Sequence, residues 1–339
     1  MPISRKSQTQ ARRERLLSLL SDGEFHSGEQ LARRLRISRG GIWKLIHTLQ
    51  ALGIEIESMP RQGYKLPHAV DLLSASAILK SMTQQSRDAL GRAEVLLTVD
   101  STNRYVYESN VVTHEAAQLC VAEIQSAGRG RRGRSWVAPF GSGICMSLGW
   151  QFEDSPPTFS ALSLAVGIAA IRALRRFGAA DVGLKWPNDL VWKNRKLGGI
   201  LIEMRGESGG PATVVIGIGL NMHMPSATRI ALAEQQSALI ADVKEILREN
   251  TPTRNSLIAA LTEEFLSMLR VFAVEGFEPF IDEWQKLDVL MHAPVRVMQG
   301  TQNISGTATG VDHEGALLVD VEGERRRFVS GEVSVRVAR

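Results

Sequence analysis

Four arginines and three glycines alternate in the run Gly128-Arg-Gly-Arg-Arg-Gly-Arg134. A guanidinium presents a planar fork of N–H donors that matches a carboxylate or a phosphate through two parallel bonds, and glycine lets the backbone fold closely about such a group. Residues 128–133 also spell G-x-G-x-x-G, and a strand is expected just before them over Leu119–Ile124. A dinucleotide site needs a helix N-terminus directly after the glycines to face the pyrophosphate. Here Ser135-Trp-Val-Ala-Pro-Phe-Gly-Ser-Gly143 follows, so no helix starts and the dinucleotide reading is excluded. Gly217-Ile-Gly219 lacks the third glycine and fails sooner. Taken alone, the arginine run also suits a solvated basic loop or an RNA-binding tract.

In Lys185-Trp-Pro-Asn-Asp-Leu190 the proline holds Trp186 extended and begins a turn, which leaves Lys185 at a strand end with its ammonium able to face a cleft. Arginine forks and a lysine converging on one ligand suit the junction of a carboxylate and a phosphate, the chemistry of activating a small carboxylic acid with ATP. Five motifs follow one another along the chain: Ser101-Thr-Asn103, the arginine run with Trp136, Lys185–Leu190, Lys196-Leu-Gly-Gly-Ile-Leu-Ile-Glu203, and Ile216-Gly-Ile-Gly-Leu-Asn221. RNA binding would require neither Lys185–Leu190 nor the β-rich C-terminus described below.

The scaffold that must hold these motifs reads as multidomain α+β. From Val95 short strands alternate with glycine-rich turns. Helical periodicity covers Ser160–Phe177 and Thr253–Glu275, whereas Leu184–Met204 and Thr213–Met222 read as strands. From about Asp288 to the end, valines such as Val295, Val297, Val319 and Val335 recur in short alternating runs, the pattern of a small all-β barrel.

Residues 1–66 read differently. A helix is expected over Gln8–Leu20, a second from a capping box at Ser27-Gly-Glu-Gln30 to about Leu35, and a third capped by Ser38 and ended by Gly53. Ile54, Ile56 and Met59 then alternate as one strand, Pro60–Gly63 turns, and Tyr64–Leu66 returns. Three helices and a hairpin make a winged helix-turn-helix, in which the third helix enters the major groove and the hairpin touches phosphate. Arg39, Lys44 and His47 on the outer side of helix three, with Arg61 in the hairpin, are the expected DNA contacts. Gly40-Gly41 costs about 1 kcal/mol per glycine relative to alanine. Either the backbone there approaches phosphate, or the helix begins later.

The charge distribution agrees. The chain is +4 overall, yet residues 1–66 hold twelve Lys/Arg against six Asp/Glu, so a polyanion partner is expected at that end. Of 339 residues, 44% are apolar and 22% charged, which excludes a disordered or fibrous chain. No run approaches the roughly 20 apolar residues of a membrane helix and the opening has no signal-like apolar stretch, so a cytoplasmic protein with no membrane partner is expected. Cys120 and Cys145 are expected to be reduced, buried thiols, and no metal site is expected from the scattered histidines.

These ordered motifs, with Gly310-Val-Asp-His-Glu-Gly-Ala-Leu-Leu318 near the end, resemble the bifunctional biotin protein ligase and biotin operon repressor family over nearly the whole chain. The resemblance implies three domains: a winged helix-turn-helix over 1–66, a catalytic domain of the biotin/lipoate ligase type over 67–284, and an SH3-like β-barrel over 285–339. It implies that biotin and ATP, with Mg²⁺ carried by the ATP, give biotinyl-5'-AMP, whose biotin passes to a lysine of a biotin carboxyl carrier protein. Operator DNA and a homodimer formed when biotinyl-AMP binds are the other implied partners. By the same likeness Ser101, Thr102, Asn103 and Gln125 line the biotin pocket, and Arg129, Gly130 and Arg131 wrap the biotin carboxylate and the α-phosphate. Lys185 stabilises the adenylate, with Lys185 and Arg131 the catalytic pair, and Asn221 lies near the nucleotide. Gly128, Arg134, Trp136, Gly217 and Gly219 complete the implied substrate site. Some relatives cover the adenine with a tryptophan that Ala231–Ala241 lacks. A ligase for lipoate, and a regulator that senses the adenylate without transferring it, are the alternatives.

Overall fold

The structure, a computed structural model, describes residues 5–109, 111–113, 116–154, 159–206, 210–236, 239–299, 302–329 and 333–337. Helices α1 (Arg5–Leu20), α2 (Gly28–Leu35) and α3 (Arg39–Gln50) precede a hairpin of β1 (Glu57–Met59) and β2 (Gly63–Lys65). The capping box forms as read: Ser27 Oγ accepts from Gln30 N, and Gln30 Oε1 accepts from Ser27 N, both at 3.2 Å. Ser38 Oγ accepts from Gly41 N at 3.1 Å, so α3 begins at Arg39 and Gly40-Gly41 occupies its first turn. A later start is thereby overturned. Leu16, Leu20, Leu31, Ile42, Ile46 and Leu49 form one apolar cluster.

The first wing strand is shorter than its alternation suggests. Only Glu57–Met59 pairs with β2, while Ile54 and Ile56 turn inward to the cluster, where burial of two isoleucines outweighs two further ladder bonds. His26 and Tyr64 exchange two backbone bonds of 2.9 Å beside Gly63, where a Cβ would stand 2.0 Å from His26 O. Glycine is therefore required there.

The central unit carries α4 (Ala75–Lys80), α5 (Gln84–Asp88), β3 (Leu90–Val99), α6 (Thr102–Ser109), β4 (Ala117–Gln125), β5 (Gly143–Phe152) and α7 (Leu162–Arg175). Then come β6 (Gly183–Lys185), β7 (Asp189–Trp192), β8 (Arg195–Gly206), β9 (Ala212–Asn221), α8 (Ser226–Gln236), α9 (Val243–Leu247), α10 (Arg254–Glu275) and α11 (Ile281–Leu287). The stretch read as strand from Leu184 to Met204 is three strands, with Lys193 and Asn194 both at positive φ, the geometry of a two-residue hairpin turn. Seven strands lie in the order β3-β4-β5-β9-β8-β7-β6, and only β3 and β4 run parallel. A largely antiparallel sheet with segregated helices is the α+β arrangement expected. Alternation along the strands sorts its two faces. Ile216, Ile218 and Leu220 point to the cluster that includes α7 and α10, whereas Val215 meets Val106 of α6 and Cys120 on the other face. The candidate residues of the Ser101-Thr-Asn103 motif use that second face.

Strands β10 (Pro294–Gln299), β11 (Gln302–Val311), β12 (Leu317–Val321), β13 (Glu324–Phe328) and β14 (Val333–Val337) form an antiparallel sheet in the order β13-β12-β11-β10-β14. The expected boundary at 284/285 falls within α11. Trp186 Nε1 donates to Gly315 O at 3.0 Å, and a Cβ on Gly315 would lie 2.7 Å from Ala161 Cα, so the β-rich unit packs directly beneath Lys185–Leu190. Cys120 and Cys145 are buried free thiols, as read. No helix among the described residues is long and apolar enough to cross a membrane.

Asp288 joins these two units and carries a pH dependence. Burial raises its carboxyl to about 6, against the opposing bond from Leu290 N–H. The unfolded carboxyl titrates near 3.9, so the unfolded chain loses its proton first. Asp288 thus contributes stability that is full below about pH 4 and is lost as pH rises through about 6, some 2 to 3 kcal/mol in all. Asp288→Asn keeps an acceptor for Leu290 N and is expected to flatten that decline. Urea unfolding of both proteins at pH 4 to 7 measures it, and parallel curves would reject the assignment.

Candidate active site and its relatives

Helix α6 starts within the Ser101-Thr-Asn103 motif, which buries all three residues at the sheet's second face. Gln125, at the end of β4, accepts from Thr102 N at 2.8 Å and from Thr102 Oγ1 at 3.2 Å. Ser147 Oγ lies 2.7 Å from Thr102 Oγ1 and 2.6 Å from Asn103 Oδ1. Asn103 Nδ2 donates to Leu201 O at 3.2 Å and to Glu203 Oε2 at 2.9 Å. Glu203 also receives Arg129, Nη1 to Oε1 at 3.2 Å. Serine, threonine, two amides, a carboxylate and a guanidinium therefore form one continuous network. An open cleft of about 420 Å³ adjoins it, lined in part by Ser101, Arg104, Arg129 and Glu203.

Two glycines of β9 exist for this network. In register, Gly217 faces Ser147 and Gly219 faces Cys145. A Cβ on Gly217 would lie 2.1 Å from Asn103 Oδ1, and one on Gly219 would lie 2.2 Å from the Trp136 ring. Asn103 and Trp136 thus lie directly on the bare backbone of β9. This accounts for the Gly-Ile-Gly pattern by packing within the chain. Burial pushes the Cys145 thiol up to about 12 although Trp136 and Gln125 pull the other way, so it is an inert wall.

The arginine run is a closed loop. Trp136 N donates to Gly128 O at 2.9 Å and Gly130 N to Arg134 O at 2.7 Å, around a 3₁₀ turn at Arg131–Gly133. Gly128 is buried with Trp136 O so close that a Cβ would stand 2.5 Å away. Arg131 Nη1 donates to Asn188 Oδ1 at 3.2 Å, joining this loop to Lys185–Leu190 across 57 residues of sequence. Burial pushes the Arg131 pKa down, Asp189 opposing, yet guanidinium remains charged at neutral pH. A partly desolvated cation at a loop tip is placed to gain from an anionic ligand. Lys185 ends β6 opposite Asp189, whose carboxylate holds Lys196 Nζ at 2.7 Å. Lys196 in turn sits 6.0 Å from the Trp136 ring.

Two further candidates have a scaffold role of their own. Arg134 is exposed and serves the loop through its backbone. Asn221 Nδ2 is spent on Lys196 O at 3.3 Å and Ala241 O at 3.0 Å, so it fixes the segment beside β8. Ser147, Glu203, Asn188 and Lys196 were not singled out by sequence reasoning. Three of them stand inside quoted motifs, whereas Ser147 is one hydroxyl in an apolar strand and carried no signal. On the N-terminal unit Arg39, Lys44 and His47 are exposed on α3, and Arg61 lies exposed between β1 and β2.

Comparison with known proteins gives the same picture. Residues 95–221 match the Biotin/lipoate A/B protein ligase family, 12–65 an HTH domain and 293–336 the Biotin protein ligase C terminal domain. The bifunctional ligase/repressor BirA of Escherichia coli is 38% identical over 96% of this chain and 97% of its own. A biotin--[acetyl-CoA-carboxylase] ligase of Mycobacterium tuberculosis is 32% identical over 63% of this chain and 77% of its own. Among solved structures, the biotin protein ligase from Aquifex aeolicus in complex with biotin and ATP superposes with a TM-score of 0.60 at 24% identity, covering 74% of this chain and all of that one. At that identity it speaks to the fold. Identity sustained across all three units, together with the convergent site, places the chain in the bifunctional biotin protein ligase and repressor family.

Proposed function

We propose that the chain joins biotin to ATP to form biotinyl-5'-AMP, transfers the biotin to a lysine of a biotin carboxyl carrier protein, and represses biotin synthesis genes with the adenylate as corepressor. One observation carries the enzyme reading: Arg131 bonded to Asn188, which brings the arginine loop and Lys185–Leu190 to one place beside the Asn103 network. The biotin carboxylate is already a nucleophile, so its attack on the α-phosphorus needs no general base. Catalysis is positioning and electrostatics. Ser101, Thr102, Asn103 and Gln125 orient the biotin rings while Trp136 walls the pocket. Arg129, Gly130 and Arg131 hold the carboxylate and α-phosphate, and Lys185 offsets charge growing on the phosphoryl oxygens. The nearby carboxylates Glu203 and Asp189 are already paired with Arg129 and Lys196, which suits a Mg²⁺ held by the nucleotide's own phosphates. That ion would offset charge on the departing pyrophosphate. The closed loop then keeps water from the anhydride. Arg39, Lys44, His47 and Arg61 contact operator DNA.

Pyrophosphate release from ATP tests the enzyme reading. It is expected with biotin, followed by labelling of a carrier domain, and weak with lipoate. Equal turnover of both acids, or none with biotin, would reject it. A single helix-turn-helix reads one half-site, so repression calls for a homodimer stabilised by the adenylate. Sedimentation should show dimer with biotinyl-AMP bound. An unchanged monomer with no ligand effect on DNA retention would sink the corepressor role.

A further inference from the structure

Four guanidinium groups share a cleft in the N-terminal unit, and none of them is among the residues assigned above. Arg12 and Arg15 come from one face of α1, Arg34 from the last turn of α2 and Arg36 from its C-cap. With Ala11 and Leu35 they line about 410 Å³. Among the described residues none of the four side chains has a carboxylate or hydrogen-bond partner, and the one acid between them, Glu14, accepts instead from Gln10 Nε2 at 3.1 Å. Several arginines elsewhere are paired, as Arg104, Arg129, Arg172, Arg195 and Arg254 are with Glu108, Glu203, Glu283, Glu245 and Glu123. Arg36 moreover takes the left-handed conformation, φ 53° and ψ 47°, at a helix end where glycine is the unstrained choice. Four like charges in one cleft repel each other, and a polyanion laid along them turns that repulsion into attraction.

The position of the cleft suggests which polyanion. Arg36 and Arg39 are three residues apart, so the cleft edge lies within about 10 Å of the start of α3. A helix whose N-terminal part enters the major groove has the phosphodiester backbone passing beside that end. We infer that Arg12, Arg15, Arg34 and Arg36 clamp one phosphodiester strand of duplex DNA flanking the groove read by α3. Such contacts set register and affinity and carry no base sequence. The inference rests on the DNA-binding reading above.

The test uses the full chain with biotin and ATP, and an arbitrary duplex of about three helical turns, with anisotropy followed from about 50 to 200 mM salt. Arg12→Gln/Arg34→Gln is expected to weaken binding at least tenfold near the middle of that range. It should also lower the slope of log affinity against log salt by about one per removed contact, about two in all. Arg12→Lys/Arg34→Lys should keep most of the slope. Carrier biotinylation and the circular dichroism spectrum should match wild type in both, which separates lost contacts from lost fold. If wild type binds and the glutamine pair keeps its affinity and slope, the cleft is not a phosphate clamp and the DNA reading stands. If wild type binds no duplex, the DNA reading itself falls and takes the clamp with it.

Discussion

Arg254→Met is expected to cost about 3 to 5 kcal/mol of stability, the range for stranding one member of a buried ion pair. Arg254 and Glu123 are 4% and 5% exposed and meet at 2.8 Å. The guanidinium also donates to Asp71 O at 3.0 Å and to Gly143 O at 3.3 Å, and Glu123 accepts from Leu73 N at 2.7 Å. Methionine fills the volume but leaves the Glu123 charge and the Asp71 carbonyl without their donor. The network ties three places together: the segment leaving the DNA-binding unit, the N-terminus of α10, and the two strands that carry Gln125 and Ser147. A loss of this size lowers the melting temperature of the central unit by on the order of 10 °C. Glu123→Gln in the Arg254→Met background should recover part of the loss, because it removes the stranded charge. Arg104→Ala, whose partners Asp100 and Glu108 are themselves solvated, should leave the melting temperature almost unchanged. Calorimetry of the four proteins decides the matter. An Arg254→Met protein melting within a degree or two of wild type would show that water replaces the lost donor.

Lys185→Ala and Arg131→Gly are expected to damage different halves of the reaction. Removing the ammonium forfeits a charge-assisted contact of about 1.5 to 3 kcal/mol, which slows adenylate formation about tenfold to a few hundredfold. The fold should survive, since Lys185 is the last residue of β6 and its backbone pairing with Asp189 needs no side chain. Arg131 is different because its side chain reaches Asn188 and holds the loop closed. Glycine there releases the tether and adds backbone freedom at the tip, so adenylate should form and then escape, labelling bystander lysines as well as the carrier. Single-turnover adenylate formation reads the first effect, and the off-rate of preformed biotinyl-AMP reads the second. A wild-type off-rate in Arg131→Gly, or full-speed synthesis in Lys185→Ala, would show these roles to be misassigned within a correctly identified family.

Local signals account for how well the elements were legible. The capping box at Ser27 and Gln30 and the serine cap at Ser38 act within four residues, so sequence places α2 and α3 nearly to the residue. The Thr253 cap likewise sets α10, which runs to Glu275 as its periodicity indicates. Alternation was less reliable at the wing, where Ile54 and Ile56 satisfy a strand pattern and a core position equally well. Whether they pair or bury depends on the three-helix cluster behind them, which no window of a few residues contains.

The site divides along the same line. Sequence alone determined which chemistry is available, since arginine forks on glycine hinges, a lysine before a proline turn, and a basic N-terminal unit are properties of residue type and spacing. It also determined the family, through the order of five short motifs. Only the tertiary structure decided what each motif is for. Gly217 and Gly219 are ligand candidates by sequence, and strand register adds that they form the bare floor on which Asn103 and Trp136 lie. Asn221 is a nucleotide candidate by sequence, and its amide nitrogen also bonds the backbone at Lys196 and Ala241. Ser147 and Glu203 became visible only when β5 and β8 brought them to α6. The physical reason is range: caps and turns act over a few residues of chain, whereas the candidate pocket is made by side chains 23 to 100 residues apart that meet only once the sheet has set its order and the faces of its strands.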